Sequence, residues 1–138
     1  MGNIRGRSFL VIIVVVAIFS LLLRIAIERI IKINIEQNES NAQATLKLIS
    51  AALENYAQDH LGEYPVNFAA LVNGNLPYLD RNYLLDSPVK GYDYNCSRLE
   101  ASGYSCSAVP RKCNLTGKVA YTVTSGGLII SEDCVKKE

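Results

Sequence analysis

The stretch FLVIIVVVAIFSLLL, from Phe9 to Leu23, decides the fold of the N-terminal part of this chain. It is apolar except for Ser20, and the sequence contains no glycine or proline between Gly6 and Gly62. A long aliphatic sequence without helix breakers favours one continuous helix that begins in a lipid bilayer and ends in water. We therefore expect a membrane-rooted helix that carries a small domain, rather than a soluble enzyme.

The apolar stretch is short for a membrane span. Its 15 residues form a helix of about 22 Å, whereas the hydrocarbon core of a bilayer is about 30 Å thick. If Arg24 snorkels towards the headgroups, the apolar surface extends through Ile27. A cleaved secretory signal is the alternative, but Leu21–Glu28 offers no small-x-small cleavage site. Arg5 and Arg7 favour a cytoplasmic N-terminus, with the rest of the chain outside the cytoplasm.

Composition changes along the 138 residues. All four cysteines, all eight tyrosines and all four prolines follow Asn55, so we expect a helical part and then a turn-rich globular part. The expected divisions are a basic leader over 1–8, a membrane helix over 9–27, a helix continuation over 28–61 and a β-rich head over 62–138. A formal net charge of +1 gives no electrostatic reason to expect a nucleic-acid partner.

The helix continuation is amphipathic from residue 42. Apolar residues recur at three- and four-residue spacing, which predicts one stripe packed against a folded domain. The members of this stripe are Ala42, Leu46, Ile49, Leu53 and Tyr56, while Gln43, Lys47, Glu54 and Gln58 fall on other faces. A two-stranded coiled coil is less favoured, because the stripe is short and contains Ala and Tyr. We expect the helix to end near Gly62, in a left-handed cap.

Strand patterns follow Pro88. Tyr92–Tyr94 and Tyr104–Val109 alternate, and Lys118–Thr124 with Leu128–Ile130 flanks a Gly126-Gly127 turn typical of a hairpin. Before them we expect a short helix around 67–72 and a loop anchored by Tyr78, Leu79, Tyr83, Leu84 and Leu85. The predicted fold class is α+β, with a long N-terminal helix packed on a small antiparallel sheet through Val119, Tyr121 and Val123.

The cysteines, Cys96, Cys106, Cys113 and Cys134, contain no CxxC pair. This spacing argues against a zinc site and excludes a thioredoxin-like site. Four cysteines in a small head suit two disulfides in an oxidising compartment, and three pairings are possible. We favour Cys96–Cys106 and Cys113–Cys134 over the other pairings and over four reduced thiols.

No catalytic constellation is visible in the sequence. His60 is the single histidine, and no Ser-His-Asp set, phosphate loop or convincing acidic pair accompanies it. Glu132 and Asp133 are more readily explained as a solvated acidic tail than as calcium ligands. We therefore expect a protein that is not an enzyme and holds no cofactor or metal.

The sequence Gly6-Arg7-Ser8-Phe9-Leu10-Val11, followed by aliphatic residues, resembles the class III signal of type IV pilins and type II secretion pseudopilins. Leu46–Tyr56, Gly62–Pro65 and Leu85–Pro88 with Gly91–Tyr94 are similar to segments of that family, in the family's order. The resemblance implies cleavage between Gly6 and Arg7, or alternatively between Ser8 and Phe9. It also implies a retained membrane and filament helix that includes Phe9, Leu10, Val11, Ile12, Ile13, Val14, Phe19 and Leu22.

One position departs from the family pattern. Pilins usually carry a glutamate five residues into the mature chain, where it is thought to pair with a neighbour's N-terminal amine. Cleavage before Arg7 puts Val11 at that place, and cleavage before Phe9 puts Ile13 there. This departure favours a tip or minor subunit, a divergent subunit, or one that is never processed.

The resemblance implies a structural subunit of a type II secretion pseudopilus or a type IV pilus-like filament. Such a subunit sits in the inner membrane as a single-pass protein with a periplasmic head. Its partners are the membrane, copies of itself or other pilins, prepilin peptidase and inner-membrane assembly proteins. Two alternatives remain: a monomeric membrane-anchored extracytoplasmic binding module, and a disulfide-rich domain released by signal peptidase.

Overall fold

The computed structural model describes residues 4–134, with side chains from Gly6 onward. Its first element is a single helix, α1, which spans Ile4–Asp59. The helix ends three residues before the expected glycine, and the Gly62 N–H closes its last turn by donating to the Ala57 carbonyl at 2.7 Å. Gly62 takes the predicted left-handed conformation, and Leu61 takes it too, with φ of 57°.

The chain divides into two compact units within α1, Met1–Asn34 and Ile35–Glu138. Among the described residues, every buried apolar side chain belongs to the second unit, beginning with Ile35. The hydrophobic core is therefore built from the last part of α1 and everything that follows it.

The helix face that enters this core is the predicted stripe. Ala42, Leu46, Ile49 and Leu53 are completely buried, and Tyr56 is partly buried against the same cluster. Helical periodicity alone located this surface, because only one face of a helix can pack on a sheet.

Four antiparallel strands cover the stripe in the order β1-β2-β3-β4. They are β1 (Tyr92–Glu100), β2 (Gly103–Pro110), β3 (Val119–Thr124) and β4 (Leu128–Asp133). The predicted hairpin joins β3 to β4, and Gly126 and Gly127 supply the positive φ values, 88° and 78°, that its turn requires. Tyr121 and Val123 are buried on the inner face and Val119 packs beside them, so the expected α+β fold is confirmed.

The connection between α1 and β1 contains little regular structure. A 3-10 helix spans Phe68–Leu71, where a short helix was predicted, and the Asn67 side chain caps it by accepting from the Ala69 N–H at 2.9 Å. Leu79 and Tyr83 anchor the loop as expected, being 3% and 6% exposed.

Leu85 does not anchor this loop, and that prediction was wrong. Its side chain is 81% exposed. The Asn82 side chain accepts hydrogen bonds from the N–H groups of Leu84 and Leu85, both at 3.2 Å, which fixes a local turn. Such Asx turns are set by local hydrogen bonding, so hydrophobicity does not predict which side chain points inward.

Candidate membrane and assembly segment

The apolar part of α1 exposes all of its side chains. Every residue from Gly6 to Ile30 is exposed, with Phe9 at 67% and Val14 at 47%. Soluble monomers rarely expose contiguous apolar patches beyond a few hundred Å². A helix that is apolar all round is covered by lipid or by other protein.

The backbone of this segment suits an apolar environment. Helical hydrogen bonding satisfies its main-chain groups, and the Ser20 hydroxyl donates to the Val16 carbonyl at 2.8 Å. Its one uncharged polar side chain is therefore satisfied within the helix, as a bilayer requires. By length and composition, α1 is compatible with a single membrane span near the N-terminus, properties that a signal sequence shares.

The residues predicted to flank a prepilin cleavage site lie inside α1. Gly6, Arg7, Ser8 and Phe9 are helical and exposed. A Cβ added at Gly6 meets nothing within 4 Å, so the fold itself does not require glycine there. Residues 1–3 of the predicted leader lie outside the described residues.

Charged side chains follow the apolar stretch. Arg24 Nε lies 3.4 Å from Glu28 Oε1, and the two side chains are 82% and 68% exposed. Arg29 and Lys32 are also exposed. This polar start of the next segment lies where a membrane span would meet water.

Two disulfides join the cysteines in the pairs favoured from the sequence. Cys96 and Cys106 are direct partners across β1 and β2, and they are bonded. Cys113, in the loop between β2 and β3, is bonded to Cys134 at the end of β4. The pairs are separated by 10 and 21 residues, and cross-links of this size stabilise a small domain by about 3 kcal/mol each.

Glu54 holds three parts of the second unit to α1. Its Oε1 accepts from the Tyr104 hydroxyl at 2.9 Å and from the Gly126 N–H at 2.8 Å, while Oε2 accepts from the Tyr64 hydroxyl at 3.0 Å. Ser50 is hydrogen-bonded to the same Tyr104 hydroxyl at 2.8 Å. The helical pattern assigned Glu54 to another face because it considers apolar spacing alone; no local signal in the sequence marks these contacts.

Burial perturbs the tyrosines of this network. Burial, with the nearby Glu54 carboxylate, raises the pKa of Tyr104 to about 12. Burial and the hydrogen bond to Glu54 raise the pKa of Tyr64 as well. The perturbed groups are neutral tyrosines that donate to one carboxylate, an arrangement suited to structural hydrogen bonding rather than to acid–base catalysis at neutral pH.

A cavity of about 620 Å³ lies on the outer side of the sheet. It borders Cys113 and Cys134, and its charged lining is mixed in sign: Asp93, Arg111, Lys112, Glu132 and Asp133. Within residues 4–134, no group of three His, Cys, Asp or Glu side chains lies close enough to hold a metal ion. Glu132 and Asp133 are exposed strand residues.

The chain matches no protein-family model, no curated protein and no solved structure.

Proposed function

We propose that this chain is a pilin-like structural subunit of a type II secretion pseudopilus or a type IV pilus-like filament. The observation that carries the proposal is the exposed apolar part of α1. The same helix continues into an α+β unit that contains two disulfides. In this proposal the helix resides in the inner membrane before assembly, with the N-terminus cytoplasmic and the disulfide-bonded unit periplasmic.

The proposed role is mechanical rather than catalytic. Residues from Phe9 onward leave lipid and pack laterally against the same segments of neighbouring subunits, so an apolar surface is covered before and after assembly. Prepilin peptidase and the inner-membrane assembly proteins act on the chain, and the energy of assembly comes from a partner that hydrolyses ATP.

A monomeric membrane-anchored binding module is the second candidate. It is favoured by the absence of any acidic residue between Gly6 and Ile27, which leaves Val11 or Ile13 where a filament subunit usually has glutamate. An amine buried in a filament without that carboxylate costs several kcal/mol. A monomer in the membrane keeps its N-terminus hydrated and carries no such cost.

The mass of the mature protein separates these candidates. We expect the native chain to lose its first six or eight residues, and we expect Gly6→Val or Ser8→Val, respectively, to prevent that loss. The control is Ser40→Val, an exposed helical position outside the leader, which leaves processing unchanged.

An intact N-terminus in the membrane fraction favours the anchored module over the filament subunit. Loss of more than about 20 residues with release of a soluble product is the signature of signal peptidase, and it would contradict both candidates. The same spectrum, read with and without reduction, counts the disulfides.

A further inference from the structure

A row of alternating charges begins where the apolar stretch ends. Arg24, Glu28 and Lys32 are spaced by four residues, which places them on one face of α1. All three are exposed, and among the described residues Lys32 pairs with no acidic side chain. In the sequence, Glu36 continues the spacing with the next change of sign.

Helix stability accounts for only a small part of this row. Glu28 precedes Lys32 in the favourable order for a pair four residues apart, worth at most about 0.5 kcal/mol, but Arg24 precedes Glu28 in the less favourable order. Their ion pair is 3.4 Å long and its side chains are 82% and 68% exposed, so water screens it strongly. The alternation therefore has little effect on the isolated helix.

We propose that this charged row, Arg24, Glu28 and Lys32, sets the axial register between parallel copies of the chain. The inference rests on the proposed function and specifies how neighbouring subunits meet. With no offset, each charge faces its own copy and is repelled. An offset of four residues, about 6 Å along a helix, brings Glu28 beside Arg24 of the neighbouring copy and Lys32 beside its Glu28.

A second copy fits the row better than lipid does. Anionic headgroups attract cations but repel anions. They would therefore repel Glu28, which lies between Arg24 and Lys32 in the row. Leu21 and Ile25, which flank the row, are 63% and 45% exposed and offer apolar surface to a neighbouring helix. Near a bilayer the lower dielectric constant strengthens both the attraction at the correct offset and the repulsion at zero offset.

Cysteine cross-linking of the full chain in phosphatidylcholine vesicles tests this register. All four native cysteines are in disulfides, so an added cysteine is the reactive thiol. A four-residue offset predicts that L21C chains cross-link to differently tagged I25C chains, and that L21C chains alone cross-link poorly. Amine-reactive cross-linking measures oligomer formation independently of register.

Charge reversal tests the cause. We expect E28K to lower the L21C–I25C yield about tenfold, because it places three cations in one row. The triple variant R24E/E28K/K32E inverts every charge but keeps the alternation, so its yield should return to within about twofold of the parent. Lys47→Glu, an exposed change in the second unit, is the matched control.

The outcomes separate the two proposals. Wild-type chains that form no oligomer in these vesicles overturn the register inference, whereas the filament proposal, which requires assembly partners, is decided by the mass of the mature protein. Chains that form oligomers but cross-link L21C to L21C, or whose E28K variant keeps the parental yield, overturn the register inference and leave the filament proposal standing. Carbonate extraction confirms that each variant is inserted, and the cross-links in the native charge background decide the register even where a charge variant fails to insert.

Discussion

The Glu54 side chain, on α1, accepts hydrogen bonds from three parts of the chain that are distant in sequence or belong to other elements. Its two oxygens accept from Tyr64, Tyr104 and Gly126, which belong to a loop, a strand and a turn. Hydrogen bonds to a charged group are worth about 1.5–3 kcal/mol each when buried, and Glu54 is partly exposed. We expect Glu54→Ala to lower the free energy of unfolding by about 2 kcal/mol and Glu54→Gln by about 1 kcal/mol, measured by urea denaturation.

Glu63 provides the control for this prediction. It is exposed, and its side chain makes no hydrogen bond to the described residues. Glu63→Ala should stay within about 0.5 kcal/mol of the wild type. Equal stability of the Glu54→Ala and Glu63→Ala proteins would show that the carboxylate contacts at Glu54 are energetically neutral.

The raised pKa of Tyr104 leads to a prediction about protein stability at high pH. Its pKa is raised by burial from 10 to about 12, so the folded state keeps a proton that the unfolded state releases. The protonated Tyr104 hydroxyl makes its full contribution to the free energy of unfolding below pH 10. That contribution is lost as the pH rises towards 12. Tyr104→Phe should flatten the decline of stability above pH 10, measured as urea midpoints after brief incubation. A decline as steep in the variant as in the wild type would assign it to other groups, such as Tyr92, whose pKa burial also raises.

At the scale of elements, the sequence predicted the features that follow from residue periodicity and turn composition, namely the buried helix face and the β3–β4 hairpin. Ala42, Leu46, Ile49 and Leu53 were identified because a helix buries one face, and β3 and β4 because they flank a Gly-Gly turn. The position of Leu85 and the contacts of Glu54 could not be predicted in this way. They depend on which loops approach in three dimensions, and a single sequence carries no signal for that proximity.

Polar residues near the start of the second unit show the same limit. Asn38 donates to the Thr116 carbonyl at 2.9 Å, and Glu39 accepts from the Lys118 N–H at 2.7 Å. In the sequence these residues lie within the polar stretch 36–43, whose composition gives no indication of which groups they contact. The close packing at Gly117 was also not predicted: a Cβ there would meet the Tyr92 ring, so this loop approaches the core closely.

The two disulfides should differ in how strongly they limit local opening of the structure. Cys96–Cys106 links strands that the β1–β2 ladder already pairs, whereas Cys113–Cys134 joins the β2–β3 loop, which is otherwise held by turn hydrogen bonds and by Asn38 and Glu39, to the residue after β4. In that loop the Asn114 N–H donates to the Gly117 carbonyl at 2.8 Å. We expect C113S/C134S to accelerate amide exchange at Asn114 and Thr116 by about tenfold or more.

C96S/C106S is the matched variant, with exchange at the loop normalised to a core amide such as that of Val123. It should leave Asn114 and Thr116 within about threefold of the wild type, because the loop keeps its own cross-link. Similar acceleration in both variants would mean that the loop opens with the whole sheet instead of separately.

At the scale of the whole molecule, the two units carry different kinds of surface. Met1–Asn34 contains no buried side chain among its described residues, whereas the core cluster lies wholly within Ile35–Glu138. In the proposed function, lipid or neighbouring subunits cover the apolar surface of the first unit. The second unit encloses its own core, so its stability should not depend on that covering.

A pair of truncations tests this independence. We expect a chain that begins at Ile35 to be soluble, to form both disulfides and to unfold within about 1 kcal/mol of the full chain in detergent. A chain that begins at Gln43 loses Asn38, Glu39 and the buried Ile35 and Ala42, so it should be less stable by at least about 3 kcal/mol. Circular dichroism during urea unfolding measures both. If the chain from Ile35 is unfolded, the first unit is needed for the fold. If the two truncations are equally stable, residues 35–42 contribute nothing to stability. The expected difference would place the boundary of the independently folding domain inside α1, where the buried face begins, and not at the end of the helix, where the composition of the sequence changes.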